Sequence, residues 1–330
     1  MNHCTGNPSN PALRYREWRV NRLLYIVVPL LLVAPWALET YGAIHPWNAN
    51  SVMYLHGELR RLMYPNDPYR TWDYVLTGLA ALACLWRDRD RMGAVLDGPV
   101  SRSALLKVKL EFLLGSVFTG WLFELLVLLL AGGISGYHTW GEFARYVVLM
   151  GMGHLDIAIL SFAGAVLGGN LLFALLGAGV LVAGPLVVGS SVFVAGNALS
   201  PGAPLLTIIA SLIEHLSPFA YSFSPELALG FIPVYAIVGA LLVGLSFRWW
   251  VRASLENIAE PLLFPSLWNG VYAIMAAVSG LITVLGIEVA LSSVQGIHAS
   301  TLVMYVVLAV AEWFIWRTVL RRSGVGEVVM

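Results

Sequence analysis

Leu122-Phe123-Glu124-Leu125-Leu126-Val127-Leu128-Leu129-Leu130-Ala131 carries one polar residue in ten. No polar–apolar alternation interrupts it, so the short alternating strands of a barrel wall are a poor match. The apolar stretch extends outward over 112–134, close to the roughly 20 residues a helix needs to cross a hydrocarbon core. Within lipid, a helix satisfies its own backbone, and a closed barrel is the other structure that can. The composition agrees with a helix in lipid: the 330 residues are 58% hydrophobic and 12% charged, with a mean hydropathy of +0.78. Soluble domains carry about 25% charged residues. The expected fold is an all-α polytopic membrane helix bundle.

Further apolar stretches place spans at 23–44, 71–86, 144–167, 171–194, 227–247, 268–291 and 301–317, so that the whole has eight. The second is short, and only Gly168, Gly169 and Asn170 separate the fourth from the fifth. No linker interrupts the series, so 1–330 reads as one membrane domain with a polar leader at 1–22 and a tail at 318–330. A cleaved signal would have an apolar run of about 7–15 residues. The run starting at Leu23 is longer, which makes it a retained first span.

Lys plus Arg number 19, equal to Asp plus Glu, and their placement is more informative than their sum. With these spans, 15 of the 19 basic residues fall on one side, leaving Arg60, Arg61, Arg70 and Arg145 on the other. The richer side is the cytoplasmic one by the positive-inside rule. Both termini are therefore expected in the cytoplasm of a multi-pass cell-membrane protein, as an even number of spans requires. The balance also disfavours a nucleic-acid partner, which would select a basic face. Cys4 and Cys84 fall on the reducing side and make no disulfide framework.

Two segments on the outer side have patterns of their own. Val52, Leu55, Leu59 and Leu62 recur at helical spacing, which suggests a short interfacial helix within 45–70. Residues 195–226 hold turn signals, the apolar stretch 205–213, and then Glu214, His215 and Pro218. That stretch is too short to cross, so a re-entrant or interfacial hairpin is expected.

On the cytoplasmic side, residues 87–110 form a basic loop. Gly98-Pro99 breaks any helix before it, and Ser101 is a suitable N-cap for a helix running into the third span. A short amphipathic helix over about 91–97 would present Met92, Val95 and Leu96 to a partner. Charge alone is explained by orientation. The order of residues adds to it: Leu96-Asp97-Gly98-Pro99-Val100-Ser101-Arg102, followed by Leu105, Leu106 and Lys109, resembles the coupling-helix region of ABC-2 type transporter permeases. The leader Leu13-Arg14-Tyr15-Arg16-Glu17-Trp18-Arg19 resembles that family's connecting helix. Leu216-Ser217-Pro218-Phe219 sits where that family has an outer re-entrant hairpin before its sixth span, and Arg252-Ala253-Ser254-Leu255-Glu256-Asn257 resembles a loop between spans six and seven of its eight-span members. Asp88, Asp90 and Asp97 among the basic residues, and the short second span, depart from the pattern.

The resemblance implies a type V exporter-like arrangement. Two permeases, identical or paired with a sister chain, would dock two separate ATP-binding subunits through Met92, Val95, Leu96, Gly98, Pro99, Val100, Ser101, Arg102 and Lys109. ATP and Mg would then sit on the partner, with no cofactor and no enzymatic site in this chain. The sequence contains no Gly-x-x-x-x-Gly-Lys-Ser/Thr phosphate loop.

Glu124 and Asp156 each lie about twelve residues inside a span, roughly 18 Å deep. An ionisable residue at such depth is a functional candidate by default. They either line a substrate path or carry a proton, or they are hydrogen-bonded at a helix contact near Ser116, Thr119, His154 and Ser161. Glu39, Glu288 and Glu312 lie nearer span ends, where interfacial solvation explains them. His154 and Asp156 point about 200° apart on a helix, so they do not suggest a metal site. Ser190 and Ser191 lack a Gly-x-Ser-x-Gly elbow. Gly164 and Gly168 continue a small-residue stripe that favours close packing of helices. Most tryptophans fall at span ends, as an interface belt would place them. Two alternatives to an exporter subunit stay open: an ion-coupled secondary transporter using Glu124 or Asp156, and a non-transporting anchor or sensor subunit.

Overall fold

The structure is a computed structural model that describes residues 11–45, 68–86, 101–136, 140–168, 171–199, 204–218, 225–252 and 307–315, with isolated positions elsewhere. The described residues are nearly all helical and include no strand. They form α1 (Pro11–Ile44), α2 (Pro68–Trp86), α3 (Arg102–Ser135), α4 (Trp140–Leu167), α5 (Leu171–Leu199), α6 (Pro204–Glu214) and α7 (Pro225–Arg252). Among the described residues, four helical stretches are long and apolar enough to cross a membrane: Pro11–Gly42, Arg102–Ser135, Phe143–Leu167 and Gly230–Arg252. This is a membrane protein built as a helix bundle.

The chain divides into two compact units. The first comprises 1–166 and 218–252, and the second 167–217 and 253–330.

In the first unit, α1 merges the expected leader and first span into one helix. Nothing in the sequence between Arg22 and Leu23 stops a helix, and one buried stripe of Leu13, Glu17, Asn21, Tyr25, Val28, Leu32 and Trp36 runs through both parts. Pro29 has no N–H, so the Tyr25 carbonyl four residues earlier lacks its usual donor. Ser116 of α3 supplies one, its Oγ donating to Tyr25 O at 3.1 Å. One turn further, Gly120 lets α1 approach closely: a Cβ there would stand 2.7 Å from Leu32 Cδ1 and 3.2 Å from Pro29 Cα. Phe112 stacks on Tyr25 at 5.1 Å and on Trp18 at 6.2 Å.

These contacts run in the same order along both helices, so α1 and α3 are parallel. Tyr25 meets Cys84 and Trp36 meets Asp73, so α2 is antiparallel to α1. Tyr74 meets Met150 while Gly78 faces Ile157 and Ser161, which makes α4 parallel to α2. Along α7, Tyr235 packs with Leu149 and Gly239 faces Ile159, again parallel to α4. Arg102 at the start of α3 reaches Val251 O at the end of α7, 3.4 Å away.

α3 begins where its sequence says it should. Ser101 is extended, at φ −72° and ψ 143°, and its hydroxyl accepts from Ala104 N at 3.2 Å. The helix ends at Gly136, whose φ of 67° directs its N–H to Gly132 O. Between α1 and α2, Leu55 and Leu59 are helical and buried and Met53 is helical and exposed, while Val52 and Leu62 lie outside the described residues.

In the second unit, α6 folds back along α5. Ser190 Oγ donates to Glu214 Oε1 at 3.1 Å, and Ser217 Oγ donates to Val182 O at 2.7 Å. The turn after α6 therefore reaches the middle of α5, beside Pro185, which lies inside that helix. At 11 residues α6 is about 16 Å long, too short to span. Elsewhere in this unit, the backbones at Gly280 and Ala309 approach closely enough that a Cβ on Gly280 would lie 3.1 Å from Ala309 Cα.

Candidate functional site

Two polar clusters lie inside the first unit. The first joins the ends of three helices. Lys109 of α3 and Glu17 of α1 are fully buried, with the ammonium 3.2 Å from the carboxylate. Lys109 Nζ also donates to Cys84 O of α2 at 3.0 Å. Glu17 Oε1 accepts from Asn21 Nδ2 at 2.8 Å and from the Tyr25 hydroxyl at 2.6 Å. Taking two charges out of water costs several kcal/mol per ion, so the added hydrogen bonds are what make the pair tenable. Near its edge, the half-exposed pair Arg14–Glu111 at 2.9 Å contributes little by comparison.

The second cluster lies deeper. Glu124 is 15 residues beyond Lys109 on α3, about 22 Å further along the helix. Its Oε2 is 3.6 Å from His154 Nε2 of α4, and both residues are buried. His154 Nδ1 lies 2.8 Å from Thr77 Oγ1 of α2, and Thr77 donates to Asp73 O at 2.8 Å. Asp73 Oδ2 accepts from Trp36 Nε1 of α1 at 2.8 Å. Tyr74 packs edge-on against His154 at 5.4 Å and directs its hydroxyl to Met150 Sδ at 3.7 Å. Four helices thus converge on a buried imidazole with carboxyl groups nearby. No family model, curated protein or solved structure matches the chain.

Of the residues singled out in the sequence, Glu124 sits in this second cluster. Asp156 is also buried and acts electrostatically on Tyr235 of α7, as Tyr74 does. Ser101 and Arg102 form the start of α3, where Ser101 caps the helix and Arg102 reaches α7. Lys109 is wholly enclosed, and its ammonium is held by Glu17 and the Cys84 carbonyl. Met92, Val95, Leu96, Gly98, Pro99 and Val100 lie outside the described residues.

Asp73, Thr77, Trp36 and Glu17 are not among the site residues expected from the sequence, and Lys109, expected at a docking surface, is instead buried against Glu17. Asp73 and Thr77 share one helix face at i,i+4 spacing. Glu17 lies in the buried stripe Leu13, Glu17, Asn21, Tyr25, where an acid needs polar partners. Among the described residues, no group of three His, Cys, Asp or Glu is placed to hold a metal ion.

Proposed function

We infer that the chain is the transmembrane permease subunit of an ATP-driven exporter, working with a separate ATP-binding subunit and a second permease. The supporting observation is the continuity of α3. One unbroken helix of 34 residues starts at Ser101, within the run that resembles a coupling region, and carries Glu124 into the bundle. A rigid helix moves as one piece, so a push at its capped end displaces the deep cluster. The buried Glu17–Lys109 pair ties α1 and the end of α2 to the same lever. In this reading, nucleotide closure in the partner drives the segment around 92–102 and tilts the helices together.

Tagged protein should copurify with a soluble ATPase from its native membranes. Substitution across Gly98–Arg102 should uncouple hydrolysis from transport. Absence of an ATPase, or coupling unchanged by those substitutions, removes the proposal. Glu124 and His154 favour one other reading, an ion-coupled secondary transporter. It predicts substrate accumulation driven by an imposed ion gradient in vesicles containing the chain alone.

A further inference from the structure

The hydrogen bonds around His154 fix where its protons sit. A hydroxyl has one proton to donate, and Thr77 directs its proton to the Asp73 carbonyl. Thr77 Oγ1 can then only accept from the imidazole, so His154 Nδ1 carries a hydrogen. A neutral ring in that tautomer presents a bare lone pair at Nε2. That atom faces Glu124 Oε2 at 3.6 Å, and neither His154 Nε2 nor Glu124 Oε1 has a hydrogen-bond partner. His154 is 1% exposed and Glu124 2%, so the contact is shielded from bulk solvent. Two buried acceptors facing each other lose their hydration without gaining a bond. A single proton between them removes the conflict, whichever atom holds it. Closing the gap by a few tenths of an ångström makes an ordinary hydrogen bond.

We propose that Glu124 and His154 together hold one exchangeable proton on the Oε2–Nε2 axis, making the centre of the bundle a proton-binding site. Other ionisable groups lie around the imidazole. Asp73 acts on His154 electrostatically, with Oδ2 accepting from the Trp36 indole, and the Tyr74 hydroxyl is directed to Met150, while Tyr235 of α7 lies within electrostatic reach of Tyr74 and Asp156. The two holders of the proton are on different helices, Glu124 on α3 and His154 on α4. A shift of α3 along α4 parts them and leaves the proton with one. Movement of the bundle is thereby linked to proton uptake and release, and the link does not depend on what drives the movement.

The test uses the full-length chain in lipid vesicles, followed by infrared spectroscopy and by nitrogen NMR of protein labelled with 15N-histidine, across a pH series. A proton on Glu124 gives a carboxylic-acid carbonyl band that Glu124→Gln removes. A proton on His154 gives a protonated Nε2 resonance that disappears with His154→Gln. Thr77→Val supplies a second assignment if that variant does not fold, because it removes the Nδ1 partner. One of the two signals should be present, vanish as pH rises and exchange in heavy water. In Glu124→Gln the amide hydrogen replaces the proton, and the His154 resonance should lose its pH dependence over that range. An unprotonated Nε2 together with no Glu124-dependent acid band overturns the proposal. So does a signal that neither titrates nor exchanges.

Discussion

Ser116 Oγ donates to the Tyr25 carbonyl at 3.1 Å, the acceptor that Pro29 deprives of its intrahelical partner. The proline and the serine are on different helices, so the break in α1 is completed by α3. Ser116→Ala leaves a buried carbonyl without that donor and should lower stability by about 1–3 kcal/mol. Thr119→Ala removes an exposed hydroxyl bonded only within its own helix and should change stability by no more than about 0.5 kcal/mol. In a Pro29→Ala background, α1 regains its own donor and the cost of Ser116→Ala should shrink. Thermal unfolding in detergent, read as a double-mutant cycle, checks this.

The Glu17–Lys109 pair makes a different prediction. Removing one partner leaves a buried charge, and Lys109→Met should cost about 3–5 kcal/mol. Replacing both, as Glu17→Leu with Lys109→Met, should recover most of that loss, because apolar packing often equals a buried ion pair. If the double variant is as unstable as the single, the hydrogen bonds to Cys84 O, Asn21 and Tyr25 carry more of the junction than the charges do.

The α5–α6 hairpin depends on a bare backbone at Gly189. A Cβ there would lie 2.7 Å from Ala210 O and 2.8 Å from Glu214 N, and backbone atoms cannot swing aside. Gly189→Ala should therefore destabilise by about 1–3 kcal/mol through overpacking. Gly179 on the same helix has nothing within 4 Å of its added Cβ. Gly179→Ala should be neutral or slightly stabilising, since alanine is the better helix former. Comparison of the two melting curves tests the hairpin geometry.

Trp36 anchors the Asp73 end of the deep cluster through its indole N–H. Trp36→Phe keeps the ring but withdraws the donor from Asp73, an acceptor that is fully buried. Leaving that buried acceptor without its donor should cost about 1–3 kcal/mol. In an Asp73→Leu background, with no acceptor left to satisfy, the same tryptophan substitution should cost less.

Local signals made much of the fold legible. The Leu122–Ala131 run, the Ser101 cap and the buried face of Leu55 and Leu59 depend on residues close in sequence, where periodicity and capping act. The short apolar run in α6 is another such case. The clusters were harder to read because their partners are far apart. Glu17 and Lys109 are 92 residues distant, and counting charges by side treats every lysine as a surface group. Asp73 lies close to the expected start of a short span and so reads as interfacial. The helix begins at Pro68, which carries Asp73 more than a turn inside and buries it. Glu124 was visible because an acid in an unbroken apolar run has no local explanation. Its neighbour His154 became informative only when Thr77, on a third helix, fixed its tautomer.

The 92-residue separation between Glu17 and Lys109 also has a consequence for how the chain is made. Ribosomes add about 5–20 residues per second, so the leader of α1 leaves the ribosome on the order of ten seconds before its cation exists. During that interval Glu17 has no ammonium to meet and is best left in water or among headgroups. The start of α1 is thus expected to stay outside the hydrocarbon until α3 is synthesised. Its final docking becomes a late step of biogenesis, one that the insertion machinery or a chaperone must wait for.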